Sequence, residues 1–137
     1  MALLVKRSQL PRAGKGLYTT KAIRKETRII QYRGELIGYN EYRRRMRREE
    51  DHYIFYVRKD LSIDAMYTPQ YKARYANDAA GFIRVKGIGN NSDYQVFGNA
   101  AYIVATRDIK AGEEIFVSYT QRYWNLMQKR RTSPGLR

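Results

Sequence analysis

The side chains able to do chemistry in this chain are phenols, carboxamides and guanidiniums rather than thiols or imidazoles. It holds 13 Tyr, 4 Phe and 1 Trp, no Cys and a single His. Without cysteine there is neither a disulfide nor a thiolate metal site, and one imidazole, His52, leaves zinc without its usual ligands. Metal is therefore not expected. Phenols offer flat apolar walls, a polar tip and a face that attracts cations, which suits a channel for an amine. The most informative stretch is Gly112-Glu113-Glu114-Ile115-Phe116-Val117-Ser118-Tyr119, an acidic turn running into a strand that ends in Tyr. Tyr119 can cap a half-buried strand or hold its hydroxyl in a site. Gly14-Lys15-Gly16 leaves the backbone bare for a close-lying ligand, though it also fits a plain loop. Arg74-Tyr75-Ala76-Asn77-Asp78 brings a cation, a carboxamide that both donates and accepts, and a carboxylate together.

The elements that must position these groups are short. Residues 2–6 and 17–22 read as strands around a turn made by Pro11 and Gly14. Residues 28–38 are β-branched and bounded by Gly, which predicts two strands with a kink at Gly34. Residues 39–50 form the clearest helix, with Asn40 as N-cap. Its apolar face is thin (Tyr42 and Met46, with Tyr39 near the start), so it presents arginines at the surface, for a partner or for solvent. Residues 53–57 and 61–65 make a hairpin, 71–77 a helical turn, and 81–89 an irregular Gly-rich insertion. Residues 94–97, 101–106 and 113–119 are strands, and a last helix spans 121–129. No internal repeat is visible.

A chain of 137 residues with 43% hydrophobic and 29% charged residues fits one globular domain. Its apolar runs are too short to span a membrane, and the N-terminal run is too short for a signal peptide. An intracellular protein is the expectation, with the compartment within the cell left open. The charge is lopsided: 27 Lys+Arg against 13 Asp+Glu give +14. Such an excess favours anionic partners through phosphate neutralisation, so non-specific DNA contact is expected, without base readout. Residues 129–137 are basic, carry turn formers and are expected to be disordered.

Six stretches in order resemble the SET domain, the lysine methyltransferase fold. They are Gly14-Lys15-Gly16-Leu17-Tyr18, Tyr32-Arg33-Gly34-Glu35, Ile63-Asp64-Ala65, Arg74-Tyr75-Ala76-Asn77-Asp78, Thr106-Arg107-Asp108-Ile109 and the acidic turn through Tyr119. In length and in the aromatic pair Tyr123-Trp124 the chain is similar to the small viral members. The resemblance implies a mostly β fold of several small sheets, a C-terminal pseudoknot and two or three short helices. The domain would span 1–128, with the basic tail after it. It implies S-adenosylmethionine as cofactor and a protein lysine, on a histone tail in nucleosomes, as substrate. The small viral members pair as dimers, which makes a homodimer an open expectation.

By the same resemblance Tyr119 is catalytic, orienting the amine. Lys15, Gly16, Tyr53, Arg74, Asn77, Asp78 and Trp124 hold the cofactor. Tyr94, Val117 and Tyr123 line the substrate channel, Val117 at the position where Tyr limits and Phe permits further methylation. The chain departs from the family pattern in two places. Asp78 stands where the family has His, and Asn90-Asn91-Ser92 stands where it has Pro-Asn-Cys. Two other readings follow from these departures and from the charge: a SET-like binding module without turnover, and a basic β-domain that binds nucleic acid.

Overall fold

The computed structural model describes residues 2–119 and 121–132. Nine short strands form three antiparallel sheets of three strands each. β1 (Leu3–Arg7), β2 (Lys15–Thr19) and β9 (Glu114–Ile115) make the first. β3 (Arg28–Tyr32), β8 (Ala100–Ala105) and β7 (Ser92–Phe97) make the second. β4 (Glu35–Ile37), β6 (Leu61–Asp64) and β5 (Ile54–Arg58) make the third. A 3-10 turn (Lys72–Tyr75) and two helices, α1 (Tyr39–Arg47) and α2 (Gln121–Thr132), complete the order. The expected fold, mostly β in several small sheets, is what is found.

The sheets share one core. Leu17, Ile103, Ile115 and Val117 are fully buried in it, on strands or segments from all along the chain. Truncating one such side chain to Ala costs about 2–5 kcal/mol through lost transfer energy and the cavity left behind. Gly34 lies where a Cβ would overlap the Asp64 backbone, which is why the β3–β4 kink falls there.

Four local expectations are corrected. Helix α1 is capped by Gly38 in extended conformation, with no side-chain cap; Asn40 is already inside the helix. Glu41 supplies the negative charge of the first turn instead. The helix ends at Arg47, not residue 50, because Glu49 turns left-handed (φ 55). Its N–H bonds Met46 O, and the Glu50 N–H bonds Arg45 O, closing the end as a Schellman turn.

The expected strand over 113–119 is likewise shorter. Only Glu114–Ile115 pair in a ladder; beyond them the chain threads between two other segments. Phe116 bridges Asn77, Val117 bridges Ser92, and the Val117 N–H donates to Asn77 O. Asn91, buried at 1% exposure, braces the thread with its side chain. It donates to Glu114 O and accepts from the Phe116 N–H. A segment held on both sides by single bridges and carboxamide bonds has no room for a ladder. Helix α2 runs to Thr132, past the expected end at 129, so the expected disorder does not hold for 129–132; residues 133–137 lie outside the described residues.

Candidate active site

The threaded segment delivers Tyr119 to the inner end of a cavity of about 1530 Å³. Its ring stands in an aromatic wall. Trp124 stacks on it at 5.9 Å and 14°, Tyr123 meets it edge-on at 5.1 Å, and Tyr94 lies parallel at 6.5 Å. Tyr94 in turn packs against Phe55 and Tyr32. Two sheets and α2 thus contribute to one lining. The Tyr119 hydroxyl donates to Ala76 O at 2.5 Å.

Burial pushes the Tyr119 and Tyr94 phenols well above their ordinary range, and neighbouring phenols and Asp78 push the same way. Tyr123 is raised by burial and then by Asp51, against the lowering effect of Arg130. These phenols are therefore neutral at physiological pH, and Tyr119 works as a hydrogen-bonding group and not as a phenolate base.

The same cavity has a more polar part of its lining. The Arg74 guanidinium stacks on Tyr53 at 4.2 Å and Tyr75 at 4.9 Å, and donates to Ala65 O and Met66 O. Its Nε is buried without a partner. The Asn77 carboxamide donates to Lys15 O at 2.9 Å, tying the start of β2 to the segment that flanks the thread. Lys15 Nζ sits 5.9 Å from the Tyr75 ring. Asp78 reaches the cavity, but both its oxygens are taken up by protein donors: Tyr119 N–H, Trp124 Nε1, Asn90 Nδ2 and Ala80 N–H.

A SET-domain family model matches residues 14–120. The chain belongs to the SET-domain family. It is 32% identical over 93% of its length to a protein named histone-lysine N-methyltransferase EZH2 from Chaetomium thermophilum. It is 29% identical over 77% of its length to histone-lysine N-methyltransferase mes-4 from Caenorhabditis elegans. It spans only 9% and 13% of those two proteins. Among solved structures it superposes on a chain of a humanized mutant of the Chaetomium thermophilum Polycomb Repressive Complex 2 bound to the inhibitor GSK126. The TM-score there is 0.71 at 28% identity, covering 93% of this chain and 16% of the other.

On this SET domain, Lys15, Tyr53, Arg74, Asn77, Asp78, Tyr94, Tyr119, Tyr123 and Trp124 all line the one cavity. Two expected residues do not. Val117 is fully buried in the main core, with its backbone tied to Asn77 and Ser92, so the channel placement is corrected. Gly16 lies just behind the wall, and its missing side chain serves the protein: a Cβ there would overlap the buried Glu114 carboxylate. That carboxylate accepts from Ser8 Oγ at 2.6 Å and the Gln9 N–H at 2.8 Å, holding the turn before the 14–16 loop. Sequence reasoning missed Tyr32 and Phe55 as lining residues, since an aromatic in an apolar strand gives no sign of which side it faces. Among the described residues no helix is long and apolar enough to cross a membrane.

Proposed function

We propose that this SET domain is an S-adenosylmethionine-dependent protein-lysine N-methyltransferase acting on a histone lysine. The observation that carries the reading is the aromatic enclosure around Tyr119, which lines one cavity together with Arg74 and Asn77. S-adenosylmethionine, when bound, supplies a methyl group carried on a sulfonium. The residues present fit it: Arg74 has a buried Nε without a partner, suited to an anionic group, and Asn77 keeps Oδ1 as an acceptor. Arg74, Asn77, Lys15 and Tyr53 would hold it.

The chain's own task is to align a neutral amine and exclude water. Free lysine titrates near 10.4, so presenting it uncharged at neutral pH costs about 4 kcal/mol. A phenol-walled channel lowers that pKa by desolvation. Alignment is worth on the order of 7 kcal/mol or more, so it dominates and no dedicated base is needed. Tyr119 orients the amine through its hydroxyl, whose own proton is engaged by Ala76 O. Tyr94, whose hydroxyl makes no hydrogen bond among the described residues, limits how many methyls the channel accepts.

The substrate reading joins the names of the relatives to the charge. A histone tail is cationic and a chain of +14 does not attract it; DNA is what that charge attracts. Arg43, Arg47 and Arg48 stand exposed on α1, beside a cavity mouth lined by Tyr39, Tyr42 and Met46. Arg45 pairs with Glu35, Glu41 and Asp64, and Glu41 is shared with Arg44. Nucleosomal DNA under α1, in a chromatin setting, follows. Binding to nucleosomes that does not weaken steeply with salt would contradict this contact.

The test of function is mass spectrometry of nucleosomes and free histones incubated with the protein and S-adenosylmethionine. Methyl increments on lysine are expected. Cofactor binding without increments on any basic protein would instead select a binding module. No cofactor binding, with salt-sensitive affinity for random DNA, would select a nucleic-acid domain.

A further inference from the structure

Asp78 is a buried carboxylate, 6% exposed, whose four hydrogen-bond donors are all uncharged. The two oxygens divide the work. Oδ1 accepts from the Ala80 N–H and Asn90 Nδ2, both at 2.8 Å, and so pins the start and end of the Gly-rich 81–89 insertion. Asn90 returns the tie by accepting from the Ala79 N–H. Oδ2 accepts from the Tyr119 N–H at 2.9 Å and Trp124 Nε1 at 2.7 Å. One oxygen thus joins the end of the threaded segment to helix α2. The rings of those two residues stack within 14° of parallel. On its far side Trp124 meets Phe82, and Gly81 leaves the space that the indole fills.

We infer that Asp78 is the positioning residue of the site: it sets the Tyr119 backbone and the Trp124 cover together, and does so through protein donors and not by ligand contact. Its chemistry is specific to a carboxylate. A carboxamide would present an NH2 to one of the two donor pairs, so Asn loses two of the four bonds whichever way it turns. Charge-assisted bonds in a partly buried setting are about twice as strong as neutral ones, and displacement of a reacting group by an ångström costs on the order of a hundredfold in rate.

The test is Asp78→Asn, read first without any substrate. Trp124 is the chain's single tryptophan, so its fluorescence reports the surroundings of this one indole. In a variant that still melts cooperatively, red-shifted emission and greater quenching by acrylamide are expected. Native emission and quenching would overturn the inference. The kinetic arm rests on the methyltransferase reading: kcat is expected to fall at least tenfold, by more than the affinity for S-adenosylmethionine falls. A wild-type kcat would overturn the inference even if the emission shifts. If the wild-type protein transfers no methyl group, the function fails while the fluorescence arm still decides the role of Asp78. Should Asp78→Asn not fold, Trp124→Phe keeps an aromatic ring beside Tyr119 but removes the N–H together with one ring of the indole. A kcat lowered about threefold or more is then expected, and an unchanged kcat would overturn the inference.

Discussion

Replacing Arg130 by Met should loosen the helix that roofs the cavity while leaving the rest of the domain intact. Arg130 lies near the end of α2 at 8% exposure and donates to both oxygens of Asp51, at 2.9 and 3.2 Å. Its Nε stands 3.7 Å from Glu49. Met retains the aliphatic stem, so the packing loss is small and the ion pair is what disappears. Leaving one partner of a fully buried pair costs about 3–5 kcal/mol. Here the Arg130 and Asp51 side chains keep 10% exposure each, and Asp51 can turn toward water. About 2 kcal/mol is the expected cost, between the buried and the exposed cases. That raises the undocked population of α2 roughly thirtyfold. Hydrogen exchange resolved by peptide reads it directly: α2 amides should exchange faster by about that factor, with β8 unchanged as internal reference. Asp51→Asn should act in the same direction but less, because Arg130 also reaches Glu49 and Met46 O, and the double variant should add little to Arg130→Met. Unchanged exchange in α2, or acceleration spread evenly over the chain, would refute the reasoning.

Three further outcomes follow from the geometry. Gly16→Ala drives a methyl into the Glu114 carboxylate that Ser8 and Gln9 hold in place; thermal denaturation should show a loss of about 1–3 kcal/mol. Tyr94→Phe deletes a hydroxyl from the cavity wall next to Tyr119 and should move the product distribution toward more methyls per lysine, as read by mass spectrometry; an unchanged distribution would count against its limiting role. The phenols set a pH dependence of stability. Burial, then Glu114, pushes Tyr18 up to about 12, and burial raises Tyr32, Tyr94 and Tyr119 as well. A folded-state pKa above the unfolded 10.0 gives stability that is complete below that value and is lost as pH rises through the folded pKa. Denaturation midpoints should fall above about pH 10.

What could be read from sequence was local. Residues 28–38 and 53–65 declare strands through β-branched and aromatic runs broken by Gly34 and by Arg58-Lys59-Asp60, and the sheets follow. The arginines of residues 43–48 declare an exposed helix, though its ends depend on Gly38 and on a left-handed Glu49 that propensity does not foresee. What could not be read depends on contacts between distant residues. Glu114 looks like a solvated turn acid, yet it is buried against Ser8, 106 residues away. Val117 looks like a channel residue by resemblance to the family, but the threading turns it into the core. Asp78 reads as a substituted ligand contact until Trp124 and Asn90 are seen to converge on it. Arg130 reads as part of a loose basic tail until Asp51 is found beside it.

The most direct test of the function is Tyr119→Phe, assayed for methyl transfer and for S-adenosylmethionine binding on the same preparation. The hydroxyl donates to Ala76 O and carries no part of the fold beyond that bond, while the ring stacking on Trp124 and Tyr123 survives in Phe. Loss of lysine methylation with cofactor affinity retained is the expected result. Near-wild-type turnover in the variant would contradict Tyr119 as the catalytic residue and, with it, the mechanism built on this cavity.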